Sequence, residues 1–137
     1  MIKAASVGLG WWSDELAKSI QGKSKKIKIV SCFSRSKKKR INFSKKFKTK
    51  YHNSYNNLIQ DKNIDAILLT TPHSLHSQHA IQALKNGKHV GTLGLDLDQA
   101  TYWHDKGVNW LVASTQRFLI SGTKNYIDNV KKPLRKS

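Results

Sequence analysis

Apolar residues along the chain fall into short runs typical of strands and into longer segments spaced like the buried face of a helix. The run from Ile64 to Leu69 is nearly continuous, which is typical of a strand covered on both faces in a parallel sheet. The pattern predicts strands over residues 2–7, 26–33, 51–53, 64–69 and 108–113, and a further strand that starts at residues 88–90. It predicts helices over residues 13–21, 37–48, 54–59, 74–86 and from 96 or 98 to 106.

This alternation of strands and helices predicts βαβ units, a parallel sheet and right-handed crossovers. The expected fold class is α/β, with a doubly wound, mostly parallel sheet flanked by helices. A chain of 137 residues suits a single domain. We expect that domain to occupy residues 1–120, followed by a basic tail over residues 121–137 that is helical in part.

A glycine-rich turn follows the first predicted strand and leads into the first helix. Gly8 and Gly10 allow a tight turn and a close approach of the backbone to a phosphate. Ser13 is small enough for close packing of helix and strand, and it is a candidate N-cap. Because a helix N-terminus directs free amides at an anion, the turn predicts a Rossmann-type site for the pyrophosphate of a nicotinamide dinucleotide. The candidate residues are Gly8, Leu9, Gly10, Trp11, Trp12 and Ser13.

The end of the second strand determines which dinucleotide is expected. An acid there accepts hydrogen bonds from the adenosine ribose of NAD, whereas the 2′-phosphate of NADP needs cations and hydroxyls. The sequence has Ser34, Arg35 and Ser36 at this point and no acid. We therefore expect NADP, with NAD as the second candidate. The alternative interpretation is a solvated basic loop, because lysine is abundant throughout the chain.

A third group of candidate residues follows the inner strand at its carboxyl end. Open α/β sheets bind their ligands at this edge. We expect these residues to complete the dinucleotide site. They are Thr70, Thr71, Pro72, His73 and His76.

The spacing of His73, His76 and His79 resembles that of a zinc site at first sight. On one helix, however, residues six apart are about 240° out of step. The three side chains therefore do not converge on one ion, and no metal site is expected.

The net charge of +17 is concentrated between Lys23 and Lys50, where the sequence has thirteen lysines and arginines and no acid. Such a field attracts nucleotides, nucleic acids or anionic membrane surfaces. Lysine supplies most of it, which argues against extensive bidentate reading of bases, since that favours arginine. The alternative is a lysine-rich composition that keeps the surface solvated.

Cysteine content and the absence of targeting patterns indicate the compartment. Cys32 is the only cysteine, so no disulfide forms within the chain, and a reducing compartment is expected. The residue itself is expected to act as a small buried hydrophobe. The first residues lack the features of a signal peptide, and no run of about 18 apolar residues occurs. We expect a cytoplasmic protein with no membrane partner.

Several motifs occur together in a characteristic order: the glycine turn 8–12, the loop 34–36, residues 55–58, the segment 64–76 and Gly87 to Val90. In order and spacing they resemble the glucose-fructose oxidoreductase, inositol dehydrogenase and MocA family, and residues 116–118 resemble the segment after that family's sixth strand. The resemblance covers about residues 2 to 120 and implies the family's N-terminal NAD(P)-binding domain, with the oxidoreductase activity of its members.

Two departures from the family bear on catalysis. In the family, the strand that begins Gly-Lys-His-Val continues into a Glu-Lys-Pro motif whose lysine is catalytic, whereas this chain continues from Gly91 to Leu95 without any of the three. Glu15 is its only glutamate, so no shifted copy exists. The family's substrate-binding C-terminal domain is also expected to be absent.

Three functional hypotheses follow. The first is a truncated oxidoreductase of this family that binds a dinucleotide but is not catalytic alone, so that no catalytic residue is assigned. The second is a non-catalytic, regulatory dinucleotide-binding module that works with a partner chain. The third, based on the lysine-rich segment, is a basic nucleic-acid-binding protein. No recognised nucleic-acid motif is present, so any such binding is expected to be non-specific.

Overall fold

The computed structural model of the chain describes residues 1–93, 97–108, 110–112 and 115–134. The strands are β1 (Ile2–Val7), β2 (Ile27–Phe33), β3 (Lys50–Tyr51), β4 (Ala66–Leu69), β5 (Gly91–Leu93) and β6 (Trp110–Val112). The helices are α1 (Trp11–Ile20), α2 (Lys37–Phe47), α3 (Tyr55–Gln60), α4 (His73–Lys85), α5 (Leu97–Asp105) and α6 (Thr115–Leu134).

The first four strands form one parallel sheet in the order β3-β2-β1-β4. The chain runs outward from β1 through β2 to β3 and then returns to the other side of β1 to form β4. With right-handed crossovers, this reversal places α1 and α2 on one face of the sheet and α3 and α4 on the other. The predicted α/β class, with a Rossmann-type doubly wound parallel sheet, is confirmed.

A bulge in β2 shapes the core on the first face. The register of β1 against β2 shifts once, and Val30 is the extra residue. As a result Ile29 and Cys32 share a face although they are three residues apart, and both pack with Ala17 of α1 and Phe43 of α2. Burial raises the pKa of the Cys32 thiol to about 11, so Cys32 is a protonated, buried core residue, as expected.

Aromatic side chains fill the second face near the carboxyl ends of the strands. Phe33 packs against Tyr55 with ring centroids 6.2 Å apart, and Tyr55 packs against His79 at 4.4 Å. The Tyr55 hydroxyl donates to the backbone carbonyl of His79 over 2.6 Å. This contact joins α3 to α4 and fixes the position of the His79 ring.

The chain divides into two compact units, Met1–Val90 and Gly91–Ser137. The first contains the four-stranded sheet. In the second, β5 and β6 pair in parallel, and α5 and α6 belong to the same unit. The expected boundary at residue 120 falls within α6, and the division into a domain over 1–120 and a tail stays a prediction.

One sequence-based expectation about a helix end is wrong. Helix α1 begins at Trp11 with Gly10 as its N-cap, so Ser13 lies within the first turn, where its buried hydroxyl pairs with that of Ser6 and does not cap the helix. The strand expected to start at residues 88–90 is β5, which begins at Gly91 after an isolated parallel bridge between His89 and Ala66. No helix in the described part of the chain is long and apolar enough to cross a membrane.

Candidate dinucleotide site

A cleft of about 410 Å³ opens at the carboxyl ends of β1, β2 and β4. This edge of the sheet is where strand order reverses, between β1 and β4, and such switch points are the usual ligand sites of open α/β sheets. The walls come from three segments that are distant in sequence. The lining residues are 8–10, 33–35 with Lys39, and 70–72 with Leu75 and His79.

Gly8 makes the tight turn after β1, and only glycine suits it. Its φ is +90°, and a Cβ there would lie 2.7 Å from the backbone of both Thr70 and Thr71. The Gly8 amide continues the sheet by donating to the Phe33 carbonyl over 3.0 Å. The glycine therefore lets the turn and the end of β4 pack against each other, which draws two walls of the cleft together.

Gly10 has a different role, because it faces open space. A Cβ on Gly10 would meet no atom of the described residues within 4 Å, and its backbone is extended, with φ of −104°. The first intrahelical bond of α1 runs from the Asp14 amide to the Gly10 carbonyl, so the amides before Asp14 have no acceptor within the helix. A small open space beside free amides at a helix N-terminus suits an anion.

Thr70 and Thr71 border the cleft at the end of β4. The Thr70 hydroxyl donates to the carbonyl oxygens of Val7 and Gly8, which fixes the turn against β4. The Thr71 carbonyl accepts from Nε2 of His76 over 2.5 Å. The Thr71 hydroxyl is buried and has no hydrogen-bond partner among the described residues, so it is available to a bound group.

Two exposed cations, Arg35 and Lys39, line the cleft beside β2. A third, Arg40, is buried and shapes the loop that carries Arg35. Its guanidinium donates to the carbonyl of Ser34 over 2.6 Å and to that of Arg35 over 3.3 Å. The Ser36 hydroxyl accepts from the Lys39 amide over 3.4 Å and so caps α2. Arg40 and Ser36 therefore hold the loop in place, while Arg35 and Lys39 face the cleft.

An apolar wall lies next to these cations. Phe33 and Leu75 line it together with the His79 ring. Burial lowers the pKa of His79, and electrostatic interaction with the neighbouring His76 lowers it further. Nδ1 of His79 is buried without a hydrogen-bond partner among the described residues. The wall is thus uncharged near neutral pH and suits a flat ring system beside an anionic group.

The structure brings most of the candidate residues together, but six of them do not line the cleft. Trp11 and Trp12 are mainly exposed at the start of α1, 73% and 56%, with ring centroids 5.6 Å apart. The Ser13 hydroxyl is paired with that of Ser6 at 2.8 Å, so only the Ser13 backbone amide faces the helix N-terminus. The remaining three are Ser36, His73 and His76.

The three histidines of α4 have different neighbours. The rings of His73 and His76 are 5.3 Å apart, edge to face, while His79 packs on Tyr55. In the part of the chain that the structure describes, no three histidine, cysteine or acidic side chains group around a common point.

Four lining residues were missed from the sequence. In the sequence, Lys39 is one of several lysines in the second predicted helix, and nothing distinguishes it from its neighbours. In the sequence, Phe33 ends an apolar strand, Leu75 lies among polar residues near the start of a predicted helix, and His79 is one of three evenly spaced histidines. No sequence signal indicates that these last three reach the cleft, because that depends on how α3 and α4 pack.

Comparison with known families gives a match over most of the first compact unit. The family model described as an oxidoreductase family with an NAD-binding Rossmann fold, GFO_IDH_MocA, matches residues 2–92. The matched span contains the glycine turn, the Arg35 loop and the end of β4.

Individual relatives include dehydrogenases and reductases. D-xylose 1-dehydrogenase (NADP⁺) from Hypocrea jecorina is 43% identical over 44 residues, which is 32% of this chain and 11% of that protein. Biliverdin reductase from Synechocystis, solved with biliverdin and NADP⁺, is 26% identical with a TM-score of 0.68, over 86% of this chain and 39% of that one. Scyllo-inositol dehydrogenase from Lactobacillus casei, solved with NAD(H) and scyllo-inositol, is 22% identical with a TM-score of 0.67.

The chain is shorter than these relatives. It is matched over 96% of its own length by the scyllo-inositol dehydrogenase but spans only 42% of that protein. The similarity at 22% identity supports the fold alone.

Proposed function

The chain belongs to the oxidoreductase family with an NAD-binding Rossmann fold, and on that premise we propose that its cleft binds a nicotinamide dinucleotide, NADP in preference to NAD. In this proposal the chain is the cofactor-binding part of an oxidoreductase. The observation that carries it is the pair of glycines at the turn, one packed tightly against β4 and the other open beside a helix N-terminus.

The residues of the turn fit a pyrophosphate. Free amides at the start of α1 would donate to its oxygens, and the open space at Gly10 would let it approach the backbone. The buried hydroxyl of Thr71 would gain the partner that it lacks among the described residues. The dinucleotide, when bound, supplies a nicotinamide ring that accepts or donates a hydride.

The preference for NADP rests on charge at the end of β2. Arg35 and Lys39 line the cleft there, and none of its lining residues is an acid. A 2′-phosphate would find two cations, whereas the ribose hydroxyls of NAD would find no carboxylate. A relative whose name specifies NADP⁺ and a neighbour solved with NADP⁺ support this choice, while the neighbour solved with NAD(H) keeps NAD as the second candidate.

A second proposal concerns catalysis. Hydride transfer needs a substrate held against the nicotinamide and a group that manages the hydroxyl proton. The family's Glu-Lys-Pro motif would stand at 91–95, where this chain has none of the three residues, and Gly94 and Leu95 lie outside the described residues. We therefore propose that the chain contributes cofactor binding, as the dinucleotide-binding part of an oxidoreductase or as a regulatory module beside a partner chain.

The test is a fluorescence titration of the purified chain with NADPH and, in parallel, NADH. We expect saturable NADPH binding and weaker NADH binding. Changing both Arg35 and Lys39 to Gln should weaken NADPH binding by about tenfold to a hundredfold, since each charge-assisted bond is worth about 1.5–3 kcal/mol when ordered and less when exposed. NADH binding should change little, because NADH lacks the 2′-phosphate.

The matched control changes Lys38 and Lys45 to Gln, which removes the same charge from α2 outside the cleft. This control should bind NADPH like the unaltered chain. Equal losses in both double variants would show that net charge alone attracts the dinucleotide, and the absence of saturable NADPH binding below millimolar concentration would contradict the proposal as a whole.

A further inference from the structure

A second cleft lies in the first compact unit at the amino-terminal ends of the strands, where α1 and α2 end. Its volume is about 440 Å³, and four of its lining residues are lysines. We call it the basic groove, and its lysines are Lys18, Lys28, Lys46 and Lys48. The dinucleotide cleft lies where the same helices begin, so a ligand in the basic groove would leave the cleft free.

Gln21 holds the walls of the basic groove together. Its amide nitrogen donates to the carbonyls of Ile29 and Phe47, both over 3.0 Å, and its amide oxygen accepts from the Ile29 backbone over 2.9 Å. These bonds join the end of α1, strand β2 and the end of α2. The groove is therefore preformed, and a ligand would not need to order its backbone on binding.

The charge in the groove is only partly compensated. Lys18 pairs with Glu15 and Lys46 with Asp14, yet both lysine side chains remain about half exposed, at 52% and 49%. Among the described residues, Lys28 and Lys48 have no acidic partner. Further exposed lysines lie within five residues of a groove lysine in the sequence: Lys23, Lys25, Lys26, Lys45 and Lys50. Three of the four groove lysines thus belong to the acid-free segment between Lys23 and Lys50.

The chemistry of this surface favours a chain of phosphates. Lysine acts as a point charge for phosphate, whereas reading of bases favours the planar fork of arginine. Binding to a membrane through a surface helix needs an apolar stripe beside the basic one. Helix α2 has no exposed apolar side chain, since Phe43 is buried and Ile41 and Phe47 are half-buried. A membrane is therefore the less suitable partner.

We propose that the basic groove binds the sugar-phosphate backbone of a nucleic acid without reading its sequence. The proposal goes beyond the dinucleotide site and is independent of it. Four lysines in one groove can neutralise about four phosphates, and each neutralised phosphate of a single strand makes the affinity more sensitive to salt.

The experiment measures fluorescence anisotropy of a labelled single-stranded DNA of about 20 nucleotides over a range of salt concentrations. In one variant, Lys18, Lys28, Lys46 and Lys48 are changed to Gln. At about 0.15 M salt we expect an affinity lower by on the order of a hundredfold and a log–log salt slope shallower by about three. The matched control changes Lys62, Lys85, Lys106 and Lys124, which are exposed elsewhere, and should bind DNA like the unaltered chain.

Further measurements separate binding in the groove from loss of folding and from general attraction by the net charge. Thermal unfolding of both variants shows whether they are folded, since lysines near helix C-termini also stabilise the helix dipole. Saturating NADPH should leave DNA binding unchanged if the two ligands occupy opposite edges. Four results would each overturn the proposal. Two concern DNA competition and specificity: displacement of DNA by NADPH, and an equal loss of affinity in the control variant. The others are no DNA binding at about 0.15 M salt, and binding to phosphatidylserine vesicles without binding to DNA.

Discussion

Gly8 and Gly10 lie two residues apart, yet alanine should destabilise the fold at Gly8 and weaken dinucleotide binding at Gly10. At Gly8 the positive φ costs an alanine about 1–2 kcal/mol. Its Cβ would also lie 2.7 Å from the backbone of Thr70 and Thr71, which cannot rotate away, and the resulting shift costs about 1–3 kcal/mol more. Gly8→Ala should therefore destabilise the fold by roughly 2–5 kcal/mol.

Gly10→Ala should leave the fold intact. The backbone there is extended, and a Cβ would meet no atom of the described residues within 4 Å. The stability should stay within about 1 kcal/mol of the unaltered chain. If the pyrophosphate approaches the backbone at this point, however, the added methyl group would occupy its space, and NADPH should bind at least about tenfold more weakly.

The assay combines thermal unfolding with NADPH titration of both variants. Gly8→Ala should lower Tm by roughly 10–20 °C, whereas Gly10→Ala should leave Tm nearly unchanged and lose affinity. A Gly8→Ala protein as stable as the unaltered chain would refute the close packing of the turn on β4. A stable Gly10→Ala protein with undiminished NADPH affinity would refute the placement of the pyrophosphate.

Three further predictions concern residues that support the site. Ser13→Ala should destabilise the fold by about 1–3 kcal/mol because it leaves the buried Ser6 hydroxyl unpaired, whereas the double change of Ser6 and Ser13 to Ala should be nearly neutral. Denaturant unfolding of Ser6→Ala, Ser13→Ala and the double variant tests this cycle. Because the folded pKa of His79 lies below its ordinary value, the unfolded chain binds the proton first as pH falls below about 6.5. The free energy of unfolding should therefore decline as the pH falls below that value. His79→Gln should flatten this part of the profile of stability against pH, and an unchanged profile would contradict the burial of the ring. Arg40→Lys keeps the charge but cannot bond both loop carbonyls, so NADPH affinity should fall severalfold, and a titration that matches the unaltered chain would show that Arg40 does not order the Arg35 loop.

The order of strands and helices could be predicted from the sequence because each element has a local signature. The Ser54 cap of α3 is an example, since the hydroxyl accepts from the Asn57 amide over 3.1 Å as its sequence position indicated. The glycine turn likewise follows a short apolar strand and precedes a helix. These features depend on a few neighbouring residues and need no knowledge of the sheet.

Features that depend on pairing between distant segments could not be predicted. The bulge at Val30 depends on the register of β2 against β1, and it decides that Ile29 and Cys32 share a face. Arg40 lies among lysines in the sequence, and only the folded loop shows that it is buried while its neighbour Lys39 lines the cleft.

The most direct test of the central claim is a map of backbone amide chemical-shift changes on addition of NADPH to the isotopically labelled chain. We predict the largest changes in the glycine turn and the first turn of α1, from Leu9 to Ser13, together with Ser34 to Ser36 and Thr70 to Thr71. Resonances of the basic groove around Gln21 and Lys48 should move little. Changes confined to that groove, with the glycine turn unaffected, would contradict the account.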